Sequence, residues 1–290
     1  MREGEAALLT AGKCLKTGLL SRWKPDWEGA AAEYEKAATA FRVGRAAPRA
    51  MDAFVKAAEA HQHFDSLFMA AKHLESAAML ARDLTQPDSA ASLYEKSANL
   101  HRLDGRIDAA AEALSKAARA VEANDPARAG ELMVAACDLF ALEGADLTEV
   151  QRLASLDTYR AAVGLLLRAK QYKGAAALLR RQALVHVAVE QPHGVARCEL
   201  SVVVALLTAG EYEAAADDCE AAQVRGDGFG GSEEAIAALE LLDVMAMQDD
   251  TALAVCVGKQ VRHTAHTTAS SAPRVLQMCA AATWLRPQVH

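Results

Sequence analysis

The sequence predicts an all-helical protein built from stacked antiparallel helix hairpins, and three observations support this fold class. Alanine accounts for 67 of the 290 residues, whereas aromatic residues make up only 5%. Alanine is the strongest helix former, while strands favour β-branched and aromatic residues. The other two observations are a twenty-residue repeat of apolar positions and the turn residues that fall between the repeats.

The repeat places one large apolar residue in each of five successive units, and two small residues follow it at three and four positions. The large residues are Tyr34, Phe54, Leu74, Tyr94 and Leu114, and Met133 with Cys137 continues the series one residue early. Residues three and four apart share one helix face. Such a helix cannot bury its apolar face alone, so neighbouring helices must stack into a solenoid. Two units span forty residues, against 34 in a tetratricopeptide repeat, which indicates a long-helix relative of that repeat.

Helix boundaries are indicated by local signals between the units. Asp125 and Pro126 predict an N-cap followed by a first-turn proline. Beyond residue 150 the pattern continues more loosely through 159–170, 173–189, 195–207 and 212–224. After the break GDGFGG, Ser232 with two acidic residues predicts another helix start. The pattern therefore predicts a helical-repeat region over 1–150 and further, looser repeats over 151–258.

Composition excludes several classes of protein. The net charge of −7 and the pI of about 5.7 give no electrostatic support for a nucleic-acid partner. The first 15 residues lack the apolar core of a signal peptide, and no apolar run approaches the roughly 18 residues that span a bilayer. The six cysteines are scattered without metal-ligand spacing, which is typical of a reduced, cytosolic protein with small buried thiols.

No enzyme motif is present, and no cofactor or small-molecule substrate is expected. The chain contains no dinucleotide fingerprint, phosphate-binding loop, nucleophile elbow or zinc-protease motif. The candidate metal ligands are His61 and His63 with His73, and His263 with His266. Because His61 and His63 are two apart on a helix and point in different directions, we interpret these histidines as surface residues and predict no metal site.

Charged and apolar residues suggest three surfaces. Lysines recur at one position of four units, namely Lys36, Lys56, Lys96 and Lys116, and fall into two sets because alternate helices run in opposite directions. They are either solvated lysines or parts of a basic groove for an acidic helical partner. Residues 211–250 instead carry twelve acidic residues and a single arginine. The apolar stretch LLSRWKPDW (19–27) either packs on a neighbouring helix or is buried in another surface.

Two stretches carry a family resemblance. KTGLLSRWKPDWEGAAAEYEKAATAF (16–41) and AGEYEAAADDCEAAQVRGDGFGGSEEAIAALELL (209–242) resemble the soluble NSF attachment protein (SNAP) family, in its gamma branch. The resemblance covers roughly residues 8–258. It implies a right-handed superhelical array of tetratricopeptide-like hairpins with a C-terminal helical bundle. It also implies a non-enzymatic adaptor in vesicle transport, at steps such as ER–Golgi traffic. The adaptor binds SNARE four-helix bundles of the syntaxin type, recruits the hexameric ATPase NSF and touches the membrane from the cytoplasm.

The resemblance also implies site residues. The membrane-contacting loop 17–25 would use Leu19, Leu20, Trp23, Arg22 and Lys24, while Trp27 belongs to the core. For the SNARE bundle, Arg106 ranks first, followed by Lys116, Arg82, Lys56 and Lys96. The NSF-binding residues would be the acidic side chains near the C-terminal end, namely Asp217, Asp218, Glu220, Glu233, Glu234, Asp249 and Asp250.

The resemblance places the C-terminal repeats and bundle within 151–258, and the chain departs from the family after them, so we expect a divergent, flexible tail over 259–290. After Gln260 the sequence does not resemble the leucine-bearing tail with which the family stimulates NSF. Two alternatives to the adaptor remain open. A generic tetratricopeptide-like scaffold or co-chaperone would have a 34-residue period and a carboxylate clamp, and the twenty-residue helix period argues against it. An enzyme subunit or helical hydrolase would need catalytic residues that the sequence does not provide.

Overall fold

The computed structural model describes residues 2–17, 23–140 and 147–247, and it confirms the all-helical prediction. These residues form twelve α-helices and no strand. The chain divides into two compact units, Met1–Ala145 and Asp146–His290. No described helix combines the length and the apolar character that crossing a bilayer requires.

The first unit contains seven helices that pack in chain order, each against the next. Their bounds are α1 Arg2–Cys14, α2 Trp27–Val43, α3 Ala47–Gln62, α4 Leu67–Asp83, α5 Pro87–Leu103, α6 Ile107–Val121 and α7 Pro126–Asp138. From α2 to α6 each helix begins twenty residues after the one before, and α7 begins one residue early. The twenty-residue repeat and its shift at Met133 are therefore confirmed.

The core of this unit is built on small residues. The paired small residues of the five repeats are between 0 and 4% exposed. Because alanine adds little bulk, neighbouring helices pack closely along this line, and large side chains fill the spaces beside it. Phe54, Leu74 and Tyr94 are buried as predicted, whereas Tyr34 and Leu114 are only partly buried.

Seven turns between helices share one geometry. The second or third residue after the helix adopts positive φ, at Arg45, Asp65, Thr85 and Gly105 in the first unit and at Lys170, Glu190 and Gly210 in the second. The next backbone N–H then donates to the carbonyl five residues back, as in Arg106 to His101 at 2.8 Å. This pair of features is the Schellman motif, which satisfies carbonyl groups at the end of a helix. The sequence indicates this motif only at Gly105 and Gly210, since the other five residues are not glycine.

The second unit contains α8 Glu149–Arg168, α9 Tyr172–Ala188, α10 Pro192–Thr208, α11 Tyr212–Val224 and α12 Glu233–Met247. Helices α9, α10 and α11 again start twenty residues apart. The start of α8 lies ten residues before the predicted one, because Thr148 and Gln151 form a capping box. Helix α10 is buried along most of its length, and α11 and α12 both pack against it.

The glycine-rich break between α11 and α12 is an ordered part of the core. Phe229 is fully buried. A Cβ at Gly228, which has φ of +103°, would lie 2.6 Å from Cβ of Pro192, and one at Gly230 would lie 2.6 Å from the carbonyl oxygen of Gln223. These approaches require glycine. The hydroxyl of Ser232 accepts from the backbone N–H of Ala235 at 3.1 Å, which confirms the predicted helix cap.

Candidate functional site

The loop between α1 and α2 contains the predicted membrane-contacting residues. Leu19, Leu20 and Arg22 lie outside the described residues, while Trp23 is 91% exposed and Lys24 is also exposed. The backbone N–H of Asp26 donates to the carbonyl of Cys14 at 3.0 Å and so closes the base of the loop.

Trp27, by contrast, packs within the first unit. Its indole ring stacks on His63 at the end of α3, with ring centroids 3.6 Å apart and planes 14° apart. The interpretation of Trp27 as a packed residue is thereby confirmed. Of the two tryptophans in this segment, only Trp23 presents its ring to solvent.

Arg106 is held against its own unit. It follows Gly105, whose φ is +75°, and occupies the N-cap position of α6. Its guanidinium carbon lies 4.3 Å from the centre of the Phe68 ring, and its Nε donates to Asp104 at 2.7 Å. The side chain remains 55% exposed, so a partner could still reach one side of it.

Lys116 is mainly a structural residue. Its ammonium group lies 3.3 Å from Glu75 and 3.0 Å from Glu112, and its side chain is only 31% exposed. Burial alone would lower the pKa of Lys116, but the two carboxylates outweigh it and raise the pKa above its usual range. Replacing Lys116 with glutamate would therefore bring a third carboxylate next to those of Glu75 and Glu112.

The other three basic candidates present their charge to solvent. Lys56 and Lys96 are exposed and make no ion pair with the part of the chain that the structure describes. They occupy the same position on α3 and α5, which run in the same direction. Arg82 is 60% exposed, and its contact with Asp83 is long, at 3.7 Å. These residues are therefore better placed to meet an acidic partner than Arg106 or Lys116.

A set of buried histidine–carboxylate contacts was not predicted. Glu35 accepts from His61, and Glu75 accepts from His101 in the equivalent place one hairpin later. The interpretation of His61 and His73 as surface residues is wrong, since they are 8% and 9% exposed. The spacing of histidines within one helix does not reveal their carboxylate partner, Glu35, which lies on the neighbouring helix. The sequence does hold a signal for these contacts. The glutamate and the histidine are 26 residues apart in each pair, and the second pair lies 40 residues after the first.

The acidic residues that were predicted to bind NSF differ in how far they are exposed to solvent. Asp217, Glu220 and Glu233 are exposed, and Glu234 is partly exposed at the start of α12. Asp218 instead forms an ion pair with Arg180 of α9. The remaining two, Asp249 and Asp250, lie outside the described residues.

The single arginine of the acidic segment is paired with two carboxylates of the same unit, although its side chain is 44% exposed. Arg225 pairs with the buried Glu199 at 2.7 Å and with Asp227 at 3.3 Å. Burial raises the pKa of Glu199, and Arg225 opposes that shift. Since Arg225 is engaged in this way, it does not neutralise the exposed acidic residues around it.

Comparison with known proteins gives a consistent result. The family described as "Soluble NSF attachment protein, SNAP" matches residues 1–258. The chain is 35% identical to the gamma-soluble NSF attachment protein of Dictyostelium discoideum over 201 residues, which cover 69% of this chain. It is 32% identical to the gamma-soluble NSF attachment protein of Arabidopsis thaliana over 196 residues, or 68% of this chain. The matched regions span 60% and 65% of the lengths of these relatives.

Stacked amphipathic hairpins with charged residues at their exposed positions define a helical-repeat scaffold. Within the class of helical-repeat scaffolds, the sequence matches one particular family, and the match extends over most of the chain. The chain belongs to the soluble NSF attachment protein family, because the match covers all but its last 32 residues.

Proposed function

We propose that this chain is an adaptor that binds assembled SNARE bundles and recruits the ATPase NSF, which then separates the bundle during vesicle transport. Membership of the SNAP family over residues 1–258 is the observation that carries the proposal. The names of the two relatives describe proteins that attach NSF. In this proposal the chain is not itself an enzyme, and the energy for disassembly comes from NSF.

The distribution of charge supports two separate contacts. All five basic candidates belong to the first unit, and all five described acidic candidates belong to the second. An acidic four-helix bundle would be attracted by Lys56, Lys96 and Arg82, and a basic domain of NSF by the exposed carboxylates. Complementary charge of this kind sets encounter rate and specificity more than raw affinity.

A third contact, with the membrane, is proposed for the loop between α1 and α2. Trp23 and Lys24 are exposed there, and the adjacent Leu19 and Leu20 add apolar side chains. Complete burial of one leucine is worth about 1.5–3 kcal/mol, so the loop alone gives weak, reversible attachment. The protein would therefore associate peripherally with membranes from the cytoplasm.

The loop is tested by changing Leu19 and Leu20 to serine together. We expect the variant to disassemble soluble SNARE complexes at the wild-type rate and liposome-anchored complexes severalfold more slowly. The matched control is Leu103→Ser, which alters an exposed leucine at the end of α5. An equal loss on soluble and anchored complexes would contradict the role in membrane contact.

The adaptor function itself is tested by capture and disassembly with purified components. The full chain should retain a soluble SNARE complex, and NSF should be retained only when the chain is present. ATPase stimulation is measured separately, since residues 259–290 lie beyond the family match. Failure to capture SNARE complexes at low and at physiological salt would reject the proposal in favour of a scaffold for another partner.

A further inference from the structure

Three side chains from three consecutive helices meet in the first unit. Glu35 of α2, His61 of α3 and His73 of α4 each provide one ligand atom, and these atoms lie within 4.8 Å of one another. Oε1 of Glu35 lies 2.6 Å from Nε2 of His61 and 2.9 Å from Nε2 of His73. Two imidazoles and one carboxylate form a common ligand set for transition metals.

The surrounding core fixes the two imidazole rings. They stack with centroids 5.0 Å apart and planes 21° apart. The ring of Phe64 lies 5.0 Å from that of His61, and Phe54 lies 6.0 Å from His73. A site held by packing on helices needs little rearrangement to bind an ion.

An ion can reach the cluster from solvent. Glu35 lines an open cleft of about 650 Å³ between α1 and α2, together with Glu3, Lys36 and Thr39. The Glu35 side chain is 36% exposed, whereas both histidines are buried. Water from the cleft can complete a tetrahedral shell, as it does in zinc sites with three protein ligands.

We propose that Glu35, His61 and His73 bind a divalent first-row transition-metal ion, with Zn²⁺ the best match, at a site shared by α2, α3 and α4. Mg²⁺ and Ca²⁺ are excluded by the two nitrogen ligands, because these ions prefer oxygen. Ligand atoms of a tetrahedral zinc are about 3.3 Å apart, given bonds of about 2.0–2.1 Å. Oε1 of Glu35 lies 2.6 and 2.9 Å from the two nitrogen atoms, so it has to move away from them by roughly half an ångström.

The hydrogen bonding of His61 limits the affinity that we expect for Zn²⁺. Nδ1 of His61 is buried and has no hydrogen-bond partner among the residues that the structure describes. Metal-binding histidines normally donate this second N–H to a carbonyl or carboxylate, and loss of such a partner weakens binding about 10- to 100-fold. We therefore expect a dissociation constant for Zn²⁺ of about 1–10 μM, weaker than in a structural zinc site.

Binding is measured on the chelator-treated full chain, by titration with Zn²⁺ alone and with Co²⁺ for its visible absorption. We expect one Zn²⁺ per chain, a rise in Tm and a tetrahedral Co²⁺ spectrum. In Glu35→Gln, which retains a hydrogen-bond acceptor for the histidines, and in His73→Asn, affinity should fall about tenfold or more. Circular dichroism of the metal-free variants separates loss of the site from loss of the fold.

His101→Asn is the matched control. His101 is buried and hydrogen-bonded to Glu75 at the equivalent position of the next hairpin, but no second histidine of the described residues joins it. This variant should lower Tm without changing Zn²⁺ affinity. Two results would overturn the proposal: no Zn²⁺ binding tighter than about 100 μM, or binding that persists unchanged in both site variants. The second result would assign the ion to other residues, such as the histidines at 263, 266 and 290.

Discussion

At the scale of single residues, Glu75 holds three helices of the first unit together. From α4 it accepts a hydrogen bond from the fully buried His101 of α5 at 2.9 Å and pairs with Lys116 of α6 at 3.3 Å. Burial raises the pKa of Glu75, but His101, Lys116 and the nearby Lys72 outweigh it, and the pKa lies below its usual range. Glu75 is therefore ionised at neutral pH.

Glu75→Gln should lower the free energy of unfolding by about 1–3 kcal/mol at pH 7, because it weakens the acceptor for two partners. The pKa of Glu75 is lower in the folded state than in the unfolded state, where it is about 4.3. Ionised Glu75 thus stabilises the fold above that pH, and the stabilisation is lost as the pH falls through the folded pKa. Urea denaturation at several pH values measures both effects.

The control for this prediction is Glu112→Gln. Glu112 contacts the same lysine, but its side chain is 67% exposed. An exposed ion pair contributes about 0–1 kcal/mol, so this variant should change stability little. If Glu75→Gln and Glu112→Gln were equally stable at pH 7, the proposed role of Glu75 would be wrong.

Sequence patterns predict single residues well where the cause is local and poorly where it is tertiary. The helix caps at Asp125 and Ser232 depend on neighbours within three residues, and both were predicted. The burial of His61 depends on Glu35, on another helix, and was missed. Likewise, the sequence ranks Arg106 first among basic residues, but its contact with Phe68 appears only in the fold.

At the scale of helices and turns, the positive-φ position after α4 is occupied by threonine. Thr85 has φ of 57°, and β-branched residues are strained in this conformation. Thr85→Gly should therefore raise the free energy of unfolding by about 0.5–1 kcal/mol, after allowing for the greater freedom of glycine in the unfolded chain. Gly105→Ala, at the equivalent turn after α5, should lower it. A loss of stability in Thr85→Gly would contradict the turn geometry.

Helix order was predictable because the apolar period repeats along the chain. Starts at 27, 47, 67, 87 and 107 follow the twenty-residue pattern directly. The start of α8 was missed because its early turns do not repeat the pattern, although Thr148 and Gln151 carry a capping-box signal. Turn conformation was not predictable, since Arg45 and Asp65 adopt a geometry for which glycine is the usual indicator.

At the scale of the whole molecule, the two units are proposed to meet different partners. For the first unit, Lys56→Glu with Lys96→Glu should weaken SNARE binding about five- to tenfold and reduce its dependence on salt, because two exposed charges are reversed. Binding isotherms at two ionic strengths provide the measurement.

Lys36→Glu is the comparison for this pair. Lys36 has the same repeat position on α2, which runs in the opposite direction, and it already pairs with Glu33 at 2.5 Å. Its reversal should have a smaller effect on SNARE binding. A larger effect from Lys36 than from the double variant would place the SNARE contact on the other set of helices.

For the second unit, the exposed carboxylates are proposed to steer the basic amino-terminal domain of NSF. The triple variant Asp217→Asn, Glu220→Gln and Glu233→Gln removes three negative charges that are exposed in the structure. Such charges act mainly on association rates and are screened beyond about 8 Å at physiological salt. We expect NSF-domain binding to slow severalfold at low salt and less at high salt, with SNARE binding unchanged.

A matched control distinguishes a local contact from an effect of net charge. Asp52→Asn, Glu59→Gln and Asp108→Asn remove the same number of exposed negative charges, but from the first unit. If the carboxylates of the second unit form the contact, the control retains the wild-type association rate, because it leaves those three carboxylates in place. If both variants slow association equally, net charge alone controls the encounter. If neither does, the acidic segment is only a solvated surface, and recruitment must depend on other residues.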